Sequence, residues 1–229
     1  MSLPFQVERF RGVVFDCDGV VLDSNGIKAR AFEDILANQP QTLLERFRAY
    51  RSAHPGFTRT TLFQHYFRDL ARMPDWDARA DDASRLFAER TVEELTACSL
   101  VPGVERALAT LNEAGLPCVI VSAGAQADLE TIMARRGLRQ RFAAIRGGER
   151  TKAEHIEALL AGGVIRRPLA YFGDSRADQD AAETTACEFI FVAGSSEWTT
   201  GPGPHVPTIM DFHDLAMIPG PKRTTVAEA

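Results

Sequence analysis

The sequence predicts an α/β fold, a parallel sheet with a small helical domain inserted behind its first strand, and three observations predict it. Short apolar runs at 13–15, 118–121, 169–172 and 189–192 are rich in β-branched and aromatic residues. From the second run onward, helical stretches separate these strands, and strand–helix alternation argues a parallel sheet with right-handed crossovers. Between the first run and the second, residues 25–98 carry helical periodicity with no strand-like run among them.

Taken in order, Val13-Val14-Phe15 runs straight into Asp16-Cys17-Asp18-Gly19-Val20-Val21-Leu22-Asp23-Ser24. A buried strand ending in carboxylates needs a cation or donors there, because an isolated carboxylate is costly to desolvate. In an open parallel sheet, ligands bind outside the carboxyl ends of the strands, where these aspartates lie. The plainer reading is a solvated turn, which Asp-Gly also signals. The insertion places Ile27, Ala31, Ile35 and Leu36 on one helical face, followed by Leu43, Leu44, Phe47 and then Leu62, Phe63, Phe67, Leu70. Turns at His54-Pro55-Gly56-Phe57-Thr58-Arg59 and Met73-Pro74-Asp75-Trp76 interrupt it before a helix over 83–95.

The sheet pattern resumes at Val101-Pro102-Gly103. A helix over 103–114 is closed by Gly115, and a strand over 118–121 ends in Ser122-Ala123-Gly124. A helix over 125–136, a strand over 142–145 and a helix over 152–161 come next. They are followed by a strand over 169–172, the loop Gly173-Asp174-Ser175, a helix over 177–184 and a strand over 189–192. From Pro219 the chain is rich in Pro, Thr and charge and reads as a mobile tail. The expected organisation is a discontinuous Rossmann-like core, residues 1–22 and 101–229, carrying an α-helical cap domain over 23–100.

Composition narrows the partners. With 45% hydrophobic and 25% charged residues the chain has ordinary globular composition, and a net charge of -5 gives no reason to expect nucleic acid. Small solutes are the expected partners, with the protein a monomer or homodimer. Residues 1–11 lack a signal-peptide core and no later run approaches the roughly 18 apolar residues of a membrane span, so a cytoplasmic protein without a membrane partner is expected. Cys17, Cys98, Cys118 and Cys187 are too scattered for a zinc or redox motif and read as reduced packing residues. Strand alternation turns Cys17 away from the face of Asp16 and Asp18. The five histidines show no metal-ligand spacing.

The chemistry gathers at the strand ends: Asp16 and Asp18, Ser122 with Ala123 and Gly124, Lys152 at a helix start, and Asp174 with Asp178. Carboxylates without His or Cys suit a hard cation such as Mg²⁺. A hydroxyl, backbone amides at a strand-to-helix turn and a lysine suit a phosphoryl group. Singly, Ser122 reads as a helix N-cap, Asp178 as a first-turn acid and Lys152 as an exposed lysine. Lys152 nevertheless stands out in a chain whose only other lysines are Lys28 and Lys222.

Those segments, Asp16-x-Asp18-Gly19-Val20-Val21, Ser122 after its strand, Lys152, and Gly173-Asp174-Ser175-x-x-Asp178, resemble in order the four motifs of the haloacid dehalogenase-like hydrolase superfamily. The insertion after the first motif is similar to the helical cap of phosphoglycolate phosphatases and β-phosphoglucomutases. The resemblance implies Mg²⁺-dependent hydrolysis of a small-molecule phosphate monoester, with Asp16 as nucleophile and Asp18 as acid and base. It further implies metal ligation by Asp16, Asp174 and the Asp18 main-chain carbonyl, with Asp178 orienting that shell. Ser122, the Ala123 amide and Lys152 are implied to bind the phosphoryl group. A sugar phosphomutase is the alternative, and a non-catalytic sugar-phosphate binder a further one. Dehalogenation is disfavoured because dehalogenases lack the aspartate that Asp18 supplies. No P-loop, dinucleotide fingerprint or Gly-x-Ser-x-Gly elbow is present. In the cap, Arg59 is expected to close onto the leaving group; Lys28 is a second candidate whose simpler reading is a solvated surface charge.

Overall fold

The computed structural model describes residues 2–54, 56–148 and 150–218. Leu3–Gln6 (β1) leads through a 3-10 turn into Gly12–Phe15 (β2). The insertion follows as Asn25–Ile35 (α1), Gln41–Ala53 (α2), Arg59–Gln64 (α3), a π-helical turn at His65–Leu70, and Trp76–Ala97 (α4). The chain then alternates through Val104–Glu113 (α5), Cys118–Val121 (β3), Gln126–Arg135 (α6), Ala144–Arg146 (β4), Lys152–Ala161 (α7), Leu169–Gly173 (β5), Arg176–Thr184 (α8) and Glu188–Val192 (β6). Thr208–Ile209 (β7) and Leu215–Ile218 (β8) complete the described part.

Six strands form one parallel sheet in the order β4-β3-β2-β5-β6-β7. The chain winds outward from β2 through β3 to β4, then crosses back to β5 and winds the other way, so the strand order reverses at β2. A crevice opens at such a reversal, beyond the carboxyl ends of the strands. Register brings the motif residues to it: Phe15 is level with Ile120 on one side and Phe172 on the other. Asp16, Ser122 and Asp174 therefore leave their strands within one residue of each other in height.

The sheet is buried on both faces, which is why its central strands are continuous apolar runs. Val13, Phe15, Ile120 and Phe172 pack under α5 and α6 with Leu108, Leu111, Leu129 and Met133. Val14, Val119, Val121 and Tyr171 pack under α7 and α8 with Ile156, Leu159, Ala181 and Ala182. Cys17 and Cys118 are buried free thiols, as expected of packing residues. Burial pushes the Cys118 thiol up to about 12.

The inserted helices have their own core, built on Phe32, Phe47, Phe63, Tyr66 and Phe87, with Phe32 and Phe87 rings 4.6 Å apart. Ile27, expected on the same face as Ala31 and Leu36, packs instead against the core cluster beneath the sheet's first loop. The two linkers run side by side, with Asp23 N donating to Ser99 O and Val101 N to Val21 O. Helix α4 begins at Trp76 and runs 22 residues, longer than the stretch expected over 83–95, because Pro74 and Asp75 end the preceding turn rather than interrupt the helix. The strand expected over 142–145 is Ala144–Arg146; Phe142 is spent on the core before it. Strands β1, β7 and β8 were not expected: β7 is two residues long, and β1 and β8, four residues each, pair among the described residues only with each other, outside the main sheet. Pro55 of the expected turn and the expected tail from Pro219 lie outside the described residues. Among the described residues, no helix is long and apolar enough to cross a membrane.

Candidate active site

The site begins where β2 and β5 end. Asp16, Asp174 and Asp178 are all buried, and one carboxylate oxygen from each lies within 4.8 Å of the others. Two glycines permit this crowding. Gly19 turns the chain at φ +74°, where a Cβ would meet Asp174 Oδ2 at 2.2 Å; a Cβ on Gly173 would meet that of Asp178 at 2.2 Å. Lys152 enters from the first turn of α7, whose start is fixed by a capping box between Thr151 and Glu154. Its Nζ donates to Asp178 Oδ1 at 2.6 Å and lies 3.0 Å from Asp16 Oδ1. The second contact is an ion pair out of line for a hydrogen bond, so that among the described residues the buried Asp16 Oδ1 has Lys152 as its ion-pair partner and no hydrogen bond.

Asp178 is fully engaged. Its Oδ1 also accepts from Tyr171 Oη at 2.7 Å, while its Oδ2 accepts from the Ser175 amide, the Ser175 hydroxyl and the Asp174 amide. Those bonds make it the residue that holds Lys152 and the 173–175 loop in place. The first-turn acid read in the sequence is real, since Ser175 and Asp178 form a capping box, and the same side chain also supports the site. Lys152 is the opposite of an exposed lysine.

Electrostatics follow from this packing. Burial drives the Asp16 carboxyl up to about 7, against the pull of Lys152 and with help from Asp178 and Asp18. Burial, with Asp16 and Asp178 adding to it, raises Asp174 well above the usual carboxylate range. Burial opposes the charge on Lys152, but Asp16 and Asp178 outweigh it and hold the ammonium above its ordinary value. Three buried carboxylates facing one ammonium leave the cluster short of positive charge. An all-oxygen donor set with a buried oxygen that, among the described residues, no hydrogen bond satisfies fits a hard divalent cation.

Asp18 looks the other way. Ser24 Oγ donates to its Oδ1 at 2.6 Å, and Lys28 Nζ, one turn into α1, donates to its Oδ2. Burial pushes Asp18 up, yet Lys28 and these hydrogen bonds overcome it and leave the carboxyl below its ordinary value. Lys28, a second cap candidate whose simpler reading was a solvated surface charge, is not solvated: it lines the crevice and pairs with Asp18, four residues after Ser24 on the inward side of α1. Asn25 binds Asp174 Oδ2 and the Ser195 carbonyl, both at 2.7 Å. Ser24, Asn25 and Lys28 went unmarked or misread in the sequence. Their signal was three polar residues, four apart or fewer, opening a helix directly behind the motif.

Comparison with known proteins bears on the same residues. The family model for haloacid dehalogenase-like hydrolases matches residues 13–192, which span Asp16 through Asp178. The chain belongs to this family. A phosphoglycolate phosphatase of Rhodobacter capsulatus is 27% identical over 218 residues, 91% of this chain and 94% of that protein. A second, from Yersinia pseudotuberculosis, is 29% identical over 195 residues, 79% of each. Among solved structures, CbbY from Rhodobacter sphaeroides in complex with phosphate superposes with a TM-score of 0.71 at 17% identity, covering 91% of this chain and 97% of that one. β-Phosphoglucomutase from Clostridium difficile gives 0.68 at 15%, covering 90% and 93%. At such identities these two structures speak for the fold alone.

In this haloacid dehalogenase-like hydrolase the crevice continues upward into a cavity of about 750 Å³ between core and inserted helices. Ser122 lines its floor, 2% exposed, with Oγ accepting from the Gly124 amide. The helix N-cap position expected for Ser122 belongs to Ala125 instead, so the hydroxyl ties the loop rather than the helix. Ala123 and Lys152 share that floor. Arg59 begins α3 and reaches the cavity, but its guanidinium pairs with Asp128 of α6.

Proposed function

We propose that the protein is a Mg²⁺-dependent phosphatase that hydrolyses a small-molecule phosphate monoester through a phosphorylated Asp16. The observation that supports this best is the buried set of Asp16, Asp174 and Lys152, in which one Asp16 oxygen meets only the ammonium among the described residues, two positions from an Asp18 held in a contrasting environment. Family membership and the phosphoglycolate phosphatases among the relatives support the same class of substrate.

Asp16 and Asp174, with the Asp18 main-chain carbonyl, would hold the cation. When bound, Mg²⁺ supplies positive charge beside Asp16 and the phosphoryl oxygens. Lys152 stays charged because two carboxylates face it, and it offsets the charge of the transferring group. Ser122 and the Ala123 amide hold the remaining phosphoryl oxygens. Asp16 attacks phosphorus as a carboxylate, its new oxygen–phosphorus bond replacing the one to the leaving alcohol. Asp18 delivers the proton that the departing alkoxide takes up. It then accepts one from water, whose oxygen bonds phosphorus as the bond to Asp16 breaks, releasing phosphate and restoring the carboxylate. Asp178 positions Lys152 and the loop of Asp174 without touching substrate.

The contact with Lys28 keeps Asp18 ionised, which suits the second step. Donation in the first step requires Asp18 to leave Lys28 and pick up a proton as the substrate enters. Asp18→Asn is expected to lower turnover by about two to four orders of magnitude. Assay of phosphate release from a panel of esters, phosphoglycolate among them, tests the reading. Release should need Mg²⁺ and stop on chelation, whereas undiminished turnover in excess chelator contradicts it. A sugar monophosphate given with a trace of its bisphosphate separates the classes, since a mutase returns an isomer and a hydrolase returns phosphate.

A further inference from the structure

We infer that Asn25, the first residue of α1, is a positioning residue for the cation site: it holds the Asp174 carboxylate from the inserted helices, so that cation affinity depends on a residue outside the core; the inference rests on the metal-binding part of the proposed function and deepens it. The partners of the three clustered carboxylates are the first observation. Lys152 meets Asp16 and Asp178, and Asp178 takes further donors from Tyr171, Ser175 and the Asp174 amide. The Asp174 carboxylate, among the described residues, accepts its one hydrogen bond from Asn25, Nδ2 to Oδ2 at 2.7 Å. Core side chains thus meet two of the three carboxylates, and the third is met from the insertion.

The fixed setting of Asn25 is the second observation. Its Nδ2 gives the other N–H to the Ser195 carbonyl, also at 2.7 Å. Both amide hydrogens are used on oxygens, and turning the amide over would set its own oxygen against the same two atoms. Gly19 leaves the room for this, since a Cβ there would lie 2.6 Å from Asn25 Nδ2 as well as 2.2 Å from Asp174 Oδ2. The loop after β6 carries the connection further: Ser195 Oγ donates to Asp23 Oδ1 of the first linker at 2.8 Å, and Ser196 Oγ donates to the Asp174 main-chain carbonyl. Asp174 is therefore tied at side chain and main chain to one network that includes the linker and the start of α1. With Oδ2 occupied by the amide, the other carboxylate oxygen is the one left to meet a cation. Outer partners of this kind typically contribute about 10–100-fold to metal affinity.

Mn²⁺, a cation with the same preference for oxygen ligands, is the probe. It is titrated into the full chain and the paramagnetic resonance signal of the free ion is read, which involves no turnover. Asn25→Ala and Asn25→Ser both suit a helix start and are too short to bond Asp174, and each should weaken Mn²⁺ binding by about 10–100-fold. Linkage requires the reverse effect as well. In the wild type, Mg²⁺ should slow hydrogen exchange at the linker amides of Asp23 and Val101, which donate to Ser99 O and Val21 O, and in the variants it should not. A residue that merely starts the helix would change exchange equally with and without the cation. Unchanged Mn²⁺ affinity in both variants overturns the inference, as does cation-induced slowing that survives in them. A wild type that takes up no Mn²⁺ overturns the inference and the cation site together. Weakened binding in the variants with no phosphate released from any ester by the wild type leaves the role of Asn25 standing and refutes the phosphatase; phosphate release with unchanged affinity does the reverse.

Discussion

At the core end of the cavity, charges are held by neighbours from the same sheet; at the cap end they are held across the boundary between two packed units. Lys152 is 9% exposed and wedged between Asp16 and Asp178, on elements that all pack on one sheet. Lys28 and Arg59 instead reach from α1 and α3 to Asp18 and Asp128, with side chains 15–25% exposed. The core arrangement belongs to the fold and persists wherever the cap sits. The cap arrangement depends on the inserted helices being seated, and the contact on Asp18, the acid and base of the proposed mechanism, is one of those that depend on it. Asp16 and Asp18, two positions apart, show the consequence: burial lifts one to about 7, and a cap lysine draws the other down. Carboxyls whose environments push them apart are those that divide labour.

The largest effect expected tests the core side of this contrast. Lys152→Met takes the ammonium away from two buried carboxylates, Asp16 and Asp178, and a loss of about 3–5 kcal/mol in urea unfolding is expected. A loss below about 1 kcal/mol would mean the core end is as loosely held as the cap end.

Next comes the pH dependence of Asp16. Its carboxyl is raised in the fold, so the native state binds the extra proton. The stability this contributes is complete below the ordinary value of 3.8 and is lost as pH rises through about 7. Without metal, Asp16→Asn should therefore stabilise the protein at about pH 8, by about 1–4 kcal/mol, and leave it nearly unchanged at about pH 4. Added Mg²⁺ should stabilise the wild type and not the variant. Thermal melts in chelator check this, and equal effects at the two pH values would remove the buried charge from the account.

Smallest is the cap pair. A double-mutant cycle of Arg59→Ala with Asp128→Ala should return a coupling of about 1 kcal/mol or less, as for partly exposed pairs. Several kcal/mol would make that boundary as rigid as the core.

How far the sequence reached follows the same division. Asp16, Ser122, Lys152, Asp174 and Asp178 were legible because each ends a strand or opens a helix of one alternating pattern, and a parallel sheet brings such ends to one edge. Buried apolar runs also announced β2, β3, β5 and β6, whereas β7, two residues long, carries no periodicity to read. Arg59 was found at the cavity, but its partner Asp128, 69 residues on, was beyond any local pattern.

By itself, then, the sequence determined the parallel sheet, the helical insertion and the identity of the core carboxylates and lysine, since alternation and strand-end chemistry are local properties of the chain. Only the tertiary structure decided that Lys28 faces Asp18, that Asn25 holds Asp174 and that Arg59 is neutralised. Each of those depends on how two separately packed hydrophobic clusters dock. Docking is set by the shapes of both surfaces together, which no stretch of either one encodes alone.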